Sequence, residues 1–221
     1  MNFVISICSP GALGTLNAIC EELELPLQMV LHGRGTAVRS MLDLLGIDSN
    51  EKRIVMAVAN TEKTEKLLSE IKNRLYIGIP GHGIVFSIPV KSIGGGSAEH
   101  VLSQGETPAK TGPELSRTFE LIVAIVNEGR TDMVMNAARS AGATGGTVLH
   151  GKGTAAEETA RFLNVSLADE KEIIFIIARQ EHKAGIMRAV LEKAGPHTEA
   201  GTVLFSTPVS SVAGFGMFEE S

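Results

Sequence analysis

Two triplets in this chain have the residue types to hold an anion. Gly33-Arg34-Gly35 and Gly151-Lys152-Gly153 each set a cation between two glycines, and each follows a histidine, His32 or His150. Glycines leave backbone N–H groups open beside the positive charge, and that combination can cradle a phosphate or carboxylate. A solvated base in a tight turn has the same spelling. No carboxylate or thiol stands at one spacing common to both histidines, so a hydrogen-bonded structural role or a ligand contact suits them better than proton transfer.

Gly78-Ile79-Pro80-Gly81-His82-Gly83 is a second glycine-rich stretch able to wrap a phosphate. Its counterpart late in the chain, residues 195–201, is poorer in glycine and carries Glu199, whose charge would repel one. Arg74, Lys91 and Arg179 are further candidate anion contacts. The charge runs Glu21, Glu22, Glu24 and Asp169-Glu170-Lys171-Glu172 read as solvated surface. No HExxH, GxSxG, P-loop or EF-hand spelling occurs, and no acid–base pair stands out, so we expect no enzyme and no resident metal. Metal capture by His32, His82 or His150 in a purely structural trimeric assembly is the alternative.

The two triplets belong to a longer repeat. Val30-Leu31-His32-Gly33-Arg34-Gly35-Thr36-Ala37 returns as Val148-Leu149-His150-Gly151-Lys152-Gly153-Thr154-Ala155, 118 residues later (148 − 30). Phe86-Ser87-Ile88-Pro89-Val90 returns as Phe205-Ser206-Thr207-Pro208-Val209, 119 later (205 − 86), so one insertion separates the copies. We read one unit written twice. A length of 221 residues suits two small domains. At 43% hydrophobic each copy can bury a modest core, and the 24 glycines then mark turns and close approaches, not disorder. A net charge of −5 argues against nucleic acid as a partner. Two cysteines, Cys8 and Cys20, give no disulfide framework or zinc knuckle and read as buried thiols. The first residues carry no basic segment and no apolar run reaches membrane-spanning length, so a cytoplasmic location is expected.

The elements that must position the triplets follow from periodicity. In the first copy a strand over 3–8 leads to a helix that Ser9 caps and Pro10 opens. A second strand over 28–32 runs into a turn at 33–35, and a short helix ends at Gly46. A third strand over 54–59, a helix capped by Thr61 and a fourth strand over 84–88 complete the unit. The second copy repeats this with strands over 119–126, 147–150, 173–178 and 202–209, and helices over 130–141 and 183–194. The order is the β-α-β-β-α-β of a ferredoxin-like domain, class α+β. We place the first domain at 1–96, a linker at 97–117 and the second domain at 118–216. Strands apolar on both faces ask for cover on the side without helices, which oligomerisation would provide.

Both halves resemble the nitrogen-regulatory PII and PII-like signal-transduction family. The resemblance rests on the element order, on Val30 to Gly35 with its copy at Val148 to Gly153, and on Gly78 to Phe86, which is similar to the family's nucleotide-holding loop and last strand. It covers about residues 1–95 and 118–215. The resemblance implies trimers of ferredoxin-like domains that bind ATP, ADP or AMP in clefts between neighbours. It implies action on a membrane transporter or metabolic enzyme in nitrogen regulation, with ligand contacts at His32, Gly33, Arg34, Gly35, Gly78, Gly81, His82, Gly83, His150, Gly151, Lys152 and Gly153. His82 and Ile84 stand where the family's loop writes aspartate and lysine, which marks a divergent relative that takes a different adenylate-like or other anionic ligand, or none.

Overall fold

The computed structural model describes residues 1–37, 49–77, 79, 82–90, 118–152 and 170–215. The short helix expected near Gly46, the linker at 97–117 and the segment after Lys152 lie outside the described residues. The chain divides into two compact units that are not contiguous in sequence. Unit 1 is Met1–Leu31, Glu51–Arg117 and Pro208–Ser221; unit 2 is His32–Asn50 and Thr118–Thr207.

In unit 1, β1 (Asn2–Cys8) leads through a 3-10 turn (Pro10–Ala12) into α1 (Leu13–Glu22). Ser9 precedes that turn without a side-chain cap bond, so Pro10 opens a 3-10 turn and not the α-helix itself. Then come β2 (Gln28–Gly35), β3 (Glu51–Ala59), α2 (Thr61–Leu75) and β4 (Gly83–Pro89). The cap of α2 is Asn60, one residue before the expected Thr61: its Oδ1 accepts from the Lys63 amide at 2.7 Å. Two i,i+4 pairs form along this helix, Lys66 with Glu62 at 2.6 Å and Arg74 with Glu70 at 3.9 Å.

The sheet of unit 1 runs β2-β3-β1-β4, antiparallel where β1 meets β3 and β4. This is the ferredoxin-like order, in which each helix crosses over one intervening strand. Alternate residues Val4, Cys8, Val55, Ala57 and Val85 meet Leu16, Ile19 and Cys20 of α1 and Leu67, Ile71 and Leu75 of α2. The opposite parity, Ile5, Ile7, Ile54 and Phe86, is buried as well. Burial pushes the Cys8 and Cys20 thiols up to about 11, which leaves them inert at neutral pH.

One further strand escapes the sequence. β4 is flanked by β9 (Ser211–Ala213), from the chain's end, in register Phe86↔Val212. A polar chain fastens it: the Ser87 and Ser210 hydroxyls lie 2.7 Å apart, Ser210 donates to Asn2 Oδ1 at 3.3 Å, and Asn2 Nδ2 donates to Thr64 Oγ1 at 3.2 Å. Residues 208–215, assigned in sequence to the second domain, thus complete the sheet of the first. Three residues with little alternation are too short a strand to see by pattern.

Unit 2 repeats the order with β5 (Phe119–Asn127), α3 (Thr131–Ser140), β6 (Thr147–Lys152), β7 (Glu170–Arg179), α4 (Gln180–Ala194) and β8 (Val203–Pro208). Its sheet runs β8-β5-β7-β6, and the last residues of β2 add to the β6 edge. Ile122, Val126, Val148, Ile174 and Ile176 pack with Val134, Met135 and Ala138 of α3 and Ile186 and Val190 of α4. Among the described residues no helix is long and apolar enough to cross a membrane.

Gly83 shows why a glycine of the loop is structural. It pairs with Cys8 at φ +144°, and a Cβ there would lie 2.1 Å from the Ile7 carbonyl oxygen. Gly83→Val should break the β1–β4 ladder and cost about 3 kcal/mol or more, read as a fall in urea midpoint. An unchanged midpoint would show that the ladder does not run through Gly83.

Candidate functional site

The triplet Gly33-Arg34-Gly35 is not a turn. It continues β2 and pairs antiparallel with β6, Gly33↔Leu149, Arg34↔Val148 and Gly35↔Thr147. Glycine carries no bar to extended backbone, and cross-strand hydrogen bonding overrides the turn preference that its frequency suggested. Gly151 and Lys152 likewise close β6, paired with Lys171 and Glu170 of β7. Gly153 lies outside the described residues, as do Gly78 and Gly81.

The β2 end is held by bonds within unit 2. The Gly35 amide donates to the Asn50 carbonyl at 2.7 Å, and Asn50 Nδ2 donates to the Ala37 carbonyl at 3.1 Å. Thr36 and Gly146 exchange two bonds: the Gly146 amide donates to Thr36 Oγ1 at 2.9 Å and the Thr36 amide to the Gly146 carbonyl at 3.1 Å. Arg139 of α3 donates to the Thr36 carbonyl.

This anchoring aims Arg34 at Glu172. Arg34 Nη2 donates to Glu172 Oε1 at 2.7 Å, and Thr131 Oγ1, at the first residue of α3, donates to Oε2 at 2.6 Å. His150, directly opposite Glu172 in the β6–β7 ladder, brings Nδ1 to 3.9 Å of the same Oε1. The pair is unequal in exposure: the Glu172 side chain is 2% exposed and that of Arg34 46%. Burial alone would raise the Glu172 carboxyl, but the bonds from Thr131 and Arg34 and the Arg34 charge outweigh it and hold the group below its ordinary value of 4.5.

The buried carboxylate corrects the sequence in two ways. Glu172 and Lys171 are buried, whereas the run 169–172 looked like solvated surface. Glu172, Ile174 and Ile176 share one parity of β7, so the charge begins the core-facing row. Lys171 takes the other face, where its ammonium donates to Asn127 Oδ1 at 2.5 Å. The anion that Arg34 was expected to draw from outside is supplied, in this structure, by the chain itself.

The remaining candidates are scattered. His82 is in unit 1, with Nδ1 3.3 Å from the Leu75 carbonyl oxygen, while His32 and His150 are exposed in unit 2. Among the described residues no group of three His, Cys, Asp or Glu side chains is placed to hold a metal. Arg74 pairs with Glu22 at 2.6 Å, Arg179 stacks over the Phe119 ring at 5.4 Å, and Glu199 faces Arg130 at 3.1 Å. Lys91 lies outside the described residues.

Two outcomes test this geometry. Arg34→Ala leaves a buried carboxylate with Thr131 and should cost about 2–3 kcal/mol, less than a fully buried pair because Arg34 is half in water. Arg34→Ala combined with Glu172→Gln should cost clearly less than the two single changes summed, as read in denaturant unfolding. Because its folded pKa is depressed, Glu172 contributes stability that is present above its unfolded value and lost as pH falls through the folded one. Glu172→Gln should therefore flatten the acid limb of the pH–stability profile below about pH 4.5. An unaltered limb would mean that Glu172 is not held as a carboxylate.

No curated protein matches the chain. The family model for nitrogen regulatory protein P-II matches residues 119–215, a span that begins with β5 and runs through β9.

Proposed function

We propose that the protein is a non-enzymatic signalling regulator that binds a small anionic ligand of the adenine-nucleotide kind and acts on a protein partner. The observation that carries this is the P-II match over residues 119–215, joined to the repeat that writes the same glycine–cation–glycine triplet in both copies. Lys152 between Gly151 and Gly153 is the cation we assign to the ligand in the second copy, with His150 beside it. In the first copy we assign ligand contacts to His32, Gly33, Arg34 and Gly35, and, as a separate assignment, to the stretch from Gly78 to Gly83 with His82. A membrane transporter or a metabolic enzyme is the partner class that the family resemblance supports.

Calorimetry of the folded chain against inorganic phosphate, AMP, ADP and ATP is the test. At least one should bind saturably, with Lys152→Gln weakening it about tenfold or more, as loss of a charge-assisted contact does. Absence of binding by all four would end the ligand assignment. The resemblance also supports a trimer, and sedimentation should give about three times the 23.4 kDa chain mass. A mass of one chain would exclude it.

A further inference from the structure

We propose that Glu172 is a built-in competitor for the cation Arg34, so that an external phosphate gains the full charge of that guanidinium only by drawing it away from a carboxylate of the protein. This rests on the ligand assignment above and adds a brake to it. Three observations carry it. First, the partners differ in reach: solvent has access to nearly half of the Arg34 side chain and almost none of Glu172. A ligand can therefore contact the cation without entering the place the carboxylate occupies. Second, Glu172 has a separate anchor. Thr131 holds Oε2 while Arg34 holds Oε1, so the carboxylate stays in place when the arginine swings away. The contact can thus open and close by movement of one flexible side chain, with His150 left 3.9 Å from Oε1 as the remaining positive group on that side once protonated.

Third, the fold does not require an acid at this position. With the copies aligned at Ile54 and Ile173 (173 − 54 = 119), the residue matched to Glu172 is Arg53, of opposite charge. Arg53 sits at the same place in the β1–β3 ladder that Glu172 holds near the start of β7, and it pairs with Glu51 at 3.5 Å. The same strand position accepts either sign, so the carboxylate is a property of unit 2 and not of the unit's architecture. The repeat thereby makes the two copies unequal at this strand position, with the carboxylate of Glu172 in one and the guanidinium of Arg53 in the other.

The experiment compares wild type with Glu172→Gln, which keeps the shape and removes the charge. Two readouts are taken: the rate at which phenylglyoxal modifies Arg34, followed by peptide mass spectrometry, and the affinity for ATP. We expect Arg34 to react several-fold faster in Glu172→Gln and ATP to bind at least tenfold tighter. An unchanged Arg34 rate would overturn the occupied-cation claim itself. A faster Arg34 with equal ATP affinity in both proteins would leave the ligand assignment standing and overturn the competition. A faster Arg34 with no ATP binding to either would remove the ligand assignment and the competition together. Should Glu172→Gln not fold, wild type decides: Arg34 must react more slowly than the exposed Arg188, and saturating ATP must protect it further. Equal rates, or no protection by ATP, would overturn the proposal.

Discussion

A carboxylate in the core-facing row of a β-strand has to be satisfied or it destabilises the sheet around it. Much of unit 2 is arranged around that constraint. Glu172 stands where the parity of β7 calls for an apolar residue, and two groups from distant parts of the chain converge on it. Thr131 comes from the first turn of α3 and Arg34 from the end of β2, 138 residues away. To deliver Arg34, residues 33–35 must run as strand beside β6, and the bonds at Thr36, Gly146 and Asn50 keep them there. The segment 32–50 belongs to unit 2, although residues 51–117 separate it from the rest of that unit. One buried charge thus helps explain why the compact units are not the two halves of the sequence.

The architecture was legible because it rests on repeated periodicity. The short apolar runs of β1, β3, β5 and β7 and the three-and-four spacing of Leu67, Ile71 and Leu75 dictate elements directly, and a copy of each lies 118 or 119 residues away. What sequence could not reveal depended on partners far along the chain. Gly33-Arg34-Gly35 looks like a turn because glycine usually marks one, yet a neighbouring strand makes it a ladder. β9 is three residues long, and only its pairing with β4 and the Ser87–Ser210–Asn2 chain give it a place. The boundary drawn before residue 118 follows the repeat faithfully, but the packing exchanges short segments across it.

The candidate site was half legible. The cations and glycines were visible from their spelling, and their recurrence singled them out. Their partner was hidden in a run of charges at 169–172 that averages to a hydrophilic surface. Parity sets Glu172 in one row with Ile174 and Ile176 and Lys171 in the other with Ile173 and Phe175, but both rows are apolar, so the count does not say which of them meets the helices. No such count could have named Arg34 as its mate, because that pairing is set by the β2–β6 register. The glycine loop before β4 divides similarly: Gly83 is demanded by the approach of the Ile7 carbonyl, which gives a structural reason for one residue of a motif that spelled ligand binding.

The claim on which this account turns is that Glu172 is ionised, buried and held by a cation. Carbon-13 NMR of the Glu172 side-chain carboxyl as a function of pH reads that state directly. The account predicts a midpoint below the ordinary 4.5, moving upward when Arg34 is replaced by glutamine. A midpoint above 4.5 in the native chain, the behaviour of a buried carboxyl that lacks a positive partner, would contradict it.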